Sequence, residues 1–331
     1  MSAANSPSDP QPDRNGPRLR IILRSHGGEN DKARPAYYSK LLCLASVVRA
    51  AHAARDAGRA TELVFWNDGP IPGDRLDLMR GSGEVVQVAA GSNRESYRAS
   101  IAMSAAAGWS ADDLIWFAED DYLYQPWSFT TVADFAAAVP HADYLSIYGA
   151  KALDPASPRT ATQAMPRTGA VDAPDPVLVD GVTWFRGVST TSTFGVRLGV
   201  LRADRHLLRT LPYSGGAWDH TTCLTVQGRQ PFGWDEIRTE LLPFGELPTR
   251  QWPTSIVRGA VRSAVNLRSR RSPAHQRTFW LCDPIGAQHM ELPDIRDDAT
   301  WSTVAAETRA WAEQRGFTVP AERRRSPASG G

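Results

Sequence analysis

Glu119-Asp120-Asp121 is the densest group of potentially reactive side chains in the sequence. It follows the apolar run Leu114-Ile115-Trp116-Phe117 with Ala118 alone between, so it sits where a buried strand would end. Neighbouring carboxylates repel one another unless a cation or solvent neutralises them. Carboxylate oxygens suit a hard divalent ion such as Mg²⁺ or Mn²⁺, and such an ion can stabilise a diphosphate leaving group. A solvated acidic turn is the other reading of the same three residues. Asp219 is the second candidate. It lies beside Trp218 and after the Gly215-Gly216 pair, and it reads either as a general base or as an acid in the first turn of a helix. His289, within Gly286-Ala287-Gln288-His289, can be a metal or phosphate contact or an unremarkable histidine. Asp68, in Asn67-Asp68-Gly69, is either good turn chemistry or a contact to a nucleotide base. Asn93 is either a helix N-cap or a nucleotide contact, and Arg24 either a nucleotide contact or an exposed strand charge.

The elements that must hold these residues alternate between strand and helix. Strands are expected at Arg18–Ser25, Leu63–Trp66, Glu84–Val88, Leu114–Phe117 and Tyr144–Tyr148. Helices are expected at Tyr37–Ala57, Ser92–Ala107 and Thr130–Ala138. This order predicts an α/β fold with a mostly parallel sheet and helices on both faces. In such sheets ligands bind at the carboxyl ends of the strands, which is where Arg24, Asp68 and the acid triplet fall.

The second half is less regular. Residues 152 to 180 read as a long loop or lid over the site. Thr190 to Leu201 alternates like a half-buried strand, Ala217 to Gln227 reads as a helix, and so does Asp298 to Gln314, with Trp301, Val304, Ala305 and Trp311 as its apolar set. Residues 249 to 277 carry seven arginines and no acid. There Ile256, Val257, Ala260, Val261, Ala264 and Val265 recur at helical spacing, with Arg258 and Arg262 on another face. The ordinary reading is a surface helix with a solvated basic face. The alternatives are a clamp on an anionic diphosphate or weak docking to anionic lipid; the run lacks the interleaved aromatics of a nucleic-acid channel.

The ordered set resembles GT-A glycosyltransferases, family-2-like enzymes that use nucleotide-diphosphate sugars. The hydrophobic strand followed by Glu-Asp-Asp-Tyr-Leu is similar to their DxD-type motif, although the triplet is EDD. Arg24-Ser25-His26, Asn67-Asp68-Gly69, Gly91-Ser92-Asn93, Trp218-Asp219-His220 and Gln288-His289 follow in the family's order, over residues 18 to 293. The resemblance implies a GT-A-like (Rossmann-like) fold with an acceptor-side second half. It implies a metal-dependent, inverting transfer of a sugar to an acceptor hydroxyl. Arg24, Asp68, Asn93, Asp120 and Trp218 would bind the nucleotide sugar. Asp121, with Asp120 and His289, would hold Mn²⁺ or Mg²⁺, and Asp219 would be the base. The competing functions are nucleotidyl transfer on a related fold, for which His26-Gly27-Gly28-Glu29 is not the usual Lys-containing phosphate loop, a non-catalytic sugar-binding module, and a hydrolase pairing Glu119 with Asp121.

The boundaries read as a disordered segment 1–17, a GT-A-like domain 18–295, a C-terminal helix 296–320 and a disordered basic tail 321–331. Composition excludes little else. The chain has 331 residues, 42% hydrophobic and 22% charged, with net charge +1, which is ordinary for a globular protein. That balance suggests no polyanionic partner such as nucleic acid. Cys43, Cys223 and Cys282 lack CxxC spacing and fit a reducing cytoplasm. The expected location is therefore cytoplasmic, or peripheral at the inner membrane face, and the expected partners are a nucleotide-sugar donor and a glycan, lipid-linked or small-molecule acceptor.

Overall fold

The computed structural model describes residues 17–29, 31–148, 176–187, 193–216, 218–243, 248–270, 276–295 and 297–320. The four strands at the N-terminal side are β1 (Leu19–His26), β2 (Thr61–Asp68), β3 (Glu84–Val88) and β4 (Leu114–Glu119). They pair in parallel in the order β3-β2-β1-β4. Their side chains alternate between two cores. Leu19, Ile21, Leu23, Leu63, Phe65, Leu114 and Trp116 face one, while Ile22, Val64, Trp66, Ile115 and Phe117 face the other. Burial on both faces is why β2, β4 and the middle of β1 read as apolar runs, whereas β3, at the sheet edge, is only partly buried.

Helix α1 (Lys40–Asp56) and α4 (Ser128–Ala138) cover the first face, and α3 (Asn93–Ala106) covers the second. A short helix, α2 (Gly73–Arg80), joins β2 to β3 and was not anticipated from the sequence. Beyond β4 the sheet continues with β9 (Phe194–Arg197), β6 (Tyr144–Ser146), β10 (Phe279–Asp283), β8 (Val182–Arg186) and β7 (Val177–Val179). Here β9 runs antiparallel to β4 and β6, and β8 antiparallel to β10 and β7. The sheet is therefore mixed but mostly parallel, with helices on both faces.

The second half departs from the sequence reading in three places. Most of the expected 152–180 loop lies outside the described residues, and its end, Val177–Val179, is a strand. The expected strand over Thr190–Leu201 begins outside the described residues; its described part is a strand at Phe194–Arg197, and Leu198 already begins α5 (Leu198–Thr210), whose Leu198, Leu201, Leu207 and Leu208 enter the second core. The arginine-rich helix α8 (Trp252–Ser269) inverts the expected arrangement. It buries Ser255, Gly259, Arg262, Asn266 and Ser269; of the expected apolar set Val265 is buried and Val261 packs on the second core, while Ile256 and Val257 are 41% and 60% exposed. The basic face is not solvated because α7 (Trp234–Leu241) packs against it and supplies acids: Arg262 meets Glu236 and, at 2.9 Å, Glu240, and Arg258 meets Glu240 at 2.7 Å.

Helix α9 (Asp298–Glu313) lies on α1. Trp301, Val304, Ala305 and Ala312 join the first core, and Arg49 reaches Glu307 at 2.9 Å. The three cysteines are buried free thiols. Among the described residues no helix is long and apolar enough to cross a membrane.

Candidate active site

Strand register gathers the site. In the β1–β4 pair Arg24 stands opposite Glu119, and in the β1–β2 pair His26 stands opposite Asp68. All three strands point the same way, so their last residues emerge at one edge. Gly91, at φ +80°, turns the chain there, and the Ser92 hydroxyl caps α3 by accepting from the Glu95 amide at 3.2 Å. Ser92, not Asn93, is therefore the N-cap.

The second half closes over this edge by two routes. Gly215 and Gly216 both adopt positive φ, +73° and +65°, a pair of left-handed turns that side chains resist. They lead into α6 (Trp218–Val226), whose first turn carries Trp218 and Asp219. Separately, β5 (Tyr122–Tyr124) pairs with β11 (Ala287–His289) as a two-stranded ribbon, with His289 opposite Tyr122. That register sets the His289 imidazole beside Asp121, and neither short strand was foreseen.

The result is one cavity of about 800 Å³, lined by all eight residues singled out in the sequence: Arg24, Asp68, Asn93, Asp120, Asp121, Trp218, Asp219 and His289. Its size is that of a site for a ligand of nucleotide dimensions.

Protein cations answer each of the three acids. Arg24 binds Glu119 and donates to the Asn93 side-chain oxygen at 2.8 Å. It is 5% exposed, so it works as a tie between β1, α3 and β4 rather than as an exposed charge. Burial pushes the Glu119 carboxyl up to about 7, against the pull of Arg24 and with the repulsion of Asp121 added. Asp120 accepts from the Ser25 hydroxyl at 2.6 Å, the His26 amide at 3.2 Å and Lys40 at 3.0 Å. Asp121 accepts from Arg34 at 2.9 Å and lies 3.2 Å from His289 Nε2. Burial alone would raise Asp121, but the hydrogen bonds from His289 and Arg34 outweigh it and hold the carboxyl below the usual range. His289 is likewise disfavoured as a cation by burial, yet Asp121 on one side and Asp294 on the other, 2.8 Å from Nδ1, raise it to about 9.

The repulsion that suggested a metal is therefore met by Arg24, Lys40, Arg34 and His289. A divalent ion still fits one corner. His289, Glu291 and Asp294 offer ligand atoms within 4.8 Å of one another, and Asp121 adjoins His289. The carboxylate oxygens suit Mn²⁺ or Mg²⁺, and the imidazole would join them only on losing its proton. Asp120 is turned to Ser25 and Lys40 and is not brought into that group. Sequence reading missed Lys32, Lys40, Glu291 and Asp294 on the cavity wall. Long side chains that reach a site from helix α1 or a loop leave no local spacing to detect.

The remaining residues divide between structure and chemistry. Asp68 Oδ1 accepts from the Ala90 amide at 2.9 Å and so fastens the β3–α3 loop. The Trp218 ring packs on Tyr97, centroids 4.4 Å apart. Asp219 accepts from the His220 amide at 2.8 Å, and burial pushes its carboxyl above the ordinary value in spite of that bond. Gly27 lets β1 turn past β2: a Cβ there would come 2.2 Å from the Pro70 carbonyl oxygen. Gly27→Ala is expected to cost about 1–3 kcal/mol through forced backbone movement, read as a lowered melting temperature, and to weaken ligand binding in the adjoining cavity.

No family model matches the chain, and no curated protein sequence matches it. Solved structures similar to it include two at low identity. One is CMP:2-keto-3-deoxy-manno-octonic acid synthetase complexed with CTP, at 10% identity and a TM-score of 0.39, covering 90% of this chain and 99% of that one. The other is the apo form of mouse xyloside xylosyltransferase 1, at 12% identity and a TM-score of 0.31, covering 80% of this chain and 96% of that one. The similarity is remote in both cases.

Proposed function

We propose that this protein is a glycosyltransferase that moves a sugar from a nucleoside-diphosphate donor to an acceptor hydroxyl, with inversion at the anomeric carbon. The observation that carries the reading is the position of Asp219. It is a desolvated carboxylate on the second-half wall of a cavity whose first-half wall is the carboxyl edge of the parallel strands. A base poised by burial thus shares one chamber with a nucleotide-type strand edge.

In this reading Asp68 and the β3–α3 loop meet the nucleotide base. The free amides at the start of α3, beside Asn93, favour phosphate oxygens. Asp121 and His289, with Glu291 and Asp294, hold a divalent cation, which supplies charge stabilisation to the departing diphosphate when bound. Asp120 fixes β1 to α1, and Arg24 sets Asn93 and Glu119. Trp218 walls the acceptor side and shields Asp219 from water. Asp219 takes the acceptor proton as the hydroxyl attacks.

The test is a thermal-shift panel of nucleoside diphosphates and nucleotide sugars with and without Mn²⁺. A cognate ligand at 100 times its dissociation constant stabilises by about 2.7 kcal/mol. Binding is expected to require the metal, and Asp121→Asn is expected to weaken it sharply without loss of fold. Equal affinity in EDTA and Mn²⁺ removes the metal from the proposal. Pyrophosphate release from a nucleoside triphosphate and a free sugar replaces glycosyl transfer with nucleotidyl transfer. Glycan binding indifferent to every nucleotide leaves a binding module.

A further inference from the structure

Helix α8 faces solvent with the side that most surface helices bury. Pro253, Ile256, Val257, Ala260, Ala264 and Leu267 are all exposed. At 3.6 residues per turn they fall within an arc of roughly 100° and run about 21 Å along the axis. No charged residue interrupts them. Of the seven large hydrophobics exposed among the described residues, Ile256, Val257 and Leu267 lie in this stripe and Trp234 and Leu242 on the adjoining α7 and its end. Scattered exposed apolar residues are ordinary, but a contiguous row of this kind marks an interaction surface.

Charge identifies the partner. Arg250 in the turn before the helix, Arg268 in its last turn and Arg270 at its end are all exposed; of the exposed acids beside Trp234, Asp235 and Glu236, the second is paired with Arg262. Arg258 and Arg262, by contrast, are turned to the protein side and paired with Glu236 and Glu240. Arg270 also lies over the Trp234 ring, 5.8 Å from its centroid, pairing a cation with an aromatic of the type that settles at headgroup level. An apolar stripe with exposed arginines at its ends is the pattern of a helix lying in a membrane interface. A second copy of the chain is disfavoured, because a two-fold contact across the stripe would bring the exposed arginines of both copies together.

We infer that α8 docks the protein on an anionic lipid surface, with Ile256, Val257 and Leu267 entering the acyl boundary and Arg250, Arg268 and Arg270 meeting the phosphate headgroups. This goes beyond the proposed transfer and stands without it, since none of these residues lines the cavity.

The experiment is flotation of the full chain with mixed phosphatidylglycerol–phosphatidylcholine vesicles and with pure phosphatidylcholine. Binding is expected to the mixed vesicles only, and to weaken as salt rises. Arg250→Gln with Arg268→Gln is expected to lower it about tenfold or more. Val257→Glu with Leu267→Glu is expected to lower it at least as much, while melting temperature and the nucleotide thermal shift stay as in the parent; that shift reads the cavity separately from the docking face. Absence of binding to anionic vesicles overturns the inference. So does undiminished binding of the Val257→Glu, Leu267→Glu chain. A concentration-dependent dimer in vesicle-free buffer, dissolved by the same pair of changes, also overturns it and assigns the stripe to a second copy.

Discussion

Asp219→Asn is expected to cut sugar transfer by roughly 10²-fold or more, the usual worth of a positioned base, or about 3 kcal/mol of barrier. Donor affinity should hardly change, because the strand edge and the Asp121–His289 corner lie on other elements. Asn keeps an oxygen for the His220 amide, so the fold should lose little. Burial raises the Asp219 carboxyl, and a base works only when ionised. The acid limb of the parent pH–rate profile is therefore expected above the ordinary aspartate range, with activity falling as pH drops through it, and the residual activity of the Asn chain should lack that limb. Turnover, donor affinity and the pH profile on one variant decide the matter. Near-normal turnover with a small loss of stability would reduce Asp219 to a favourable charge at a helix start.

Arg262→Ala is expected to be among the most damaging single changes outside the cavity, at about 1.5–3 kcal/mol, the cost of losing hydrogen bonds made by a charged group. Arg262 is 8% exposed, donates to the Ser214 carbonyl at 2.8 Å and lies over the Phe232 ring at 4.5 Å. Its loss leaves Glu240, which is itself 9% exposed, with Arg258 as its one remaining cation, and releases the turn that aims Trp218 and Asp219. Denaturant unfolding should show the loss of stability. Arg262→Lys should recover part of it by restoring the charge without the planar fork. A midpoint within about 0.5 kcal/mol of the parent, the range of an ordinary surface change, would mean the network is open to water.

The same helix marks the boundary of what sequence reading can reach. The parallel strands were legible because Gly69-Pro70, Gly91 and the Glu-Asp-Asp turn punctuate runs of apolar residues, and those ends carry Arg24, Asp68 and the acids. Asp219 and His289 were legible as residue types, and the cavity brings both to its wall. The route by which His289 arrives was not: β5 and β11 are three residues each, too short for a period, and their pairing is set by the fold of everything between them. Helix α8 was found but turned over, because its arginines meet acids 18 to 26 positions earlier in the chain and spacing within a helix cannot show a partner outside it. Arg34 and Lys40, which neutralise Asp121 and Asp120, were invisible for the same reason.

The place of β10 has a consequence for how the chain reaches this state. Phe279–Asp283 lies inside the sheet, between β6 at Tyr144–Ser146 and β8 at Val182–Arg186. The four-stranded parallel half can pair using residues 19 to 119 alone. The other half cannot close until a strand synthesised some 130 positions after β6 has been inserted. Such long-range pairing is slow, and until it happens two apolar strand edges stand open to other chains. Substitutions in Phe279–Asp283 should accordingly act first on refolding yield and folding rate, before any effect on the stability of the finished protein is seen.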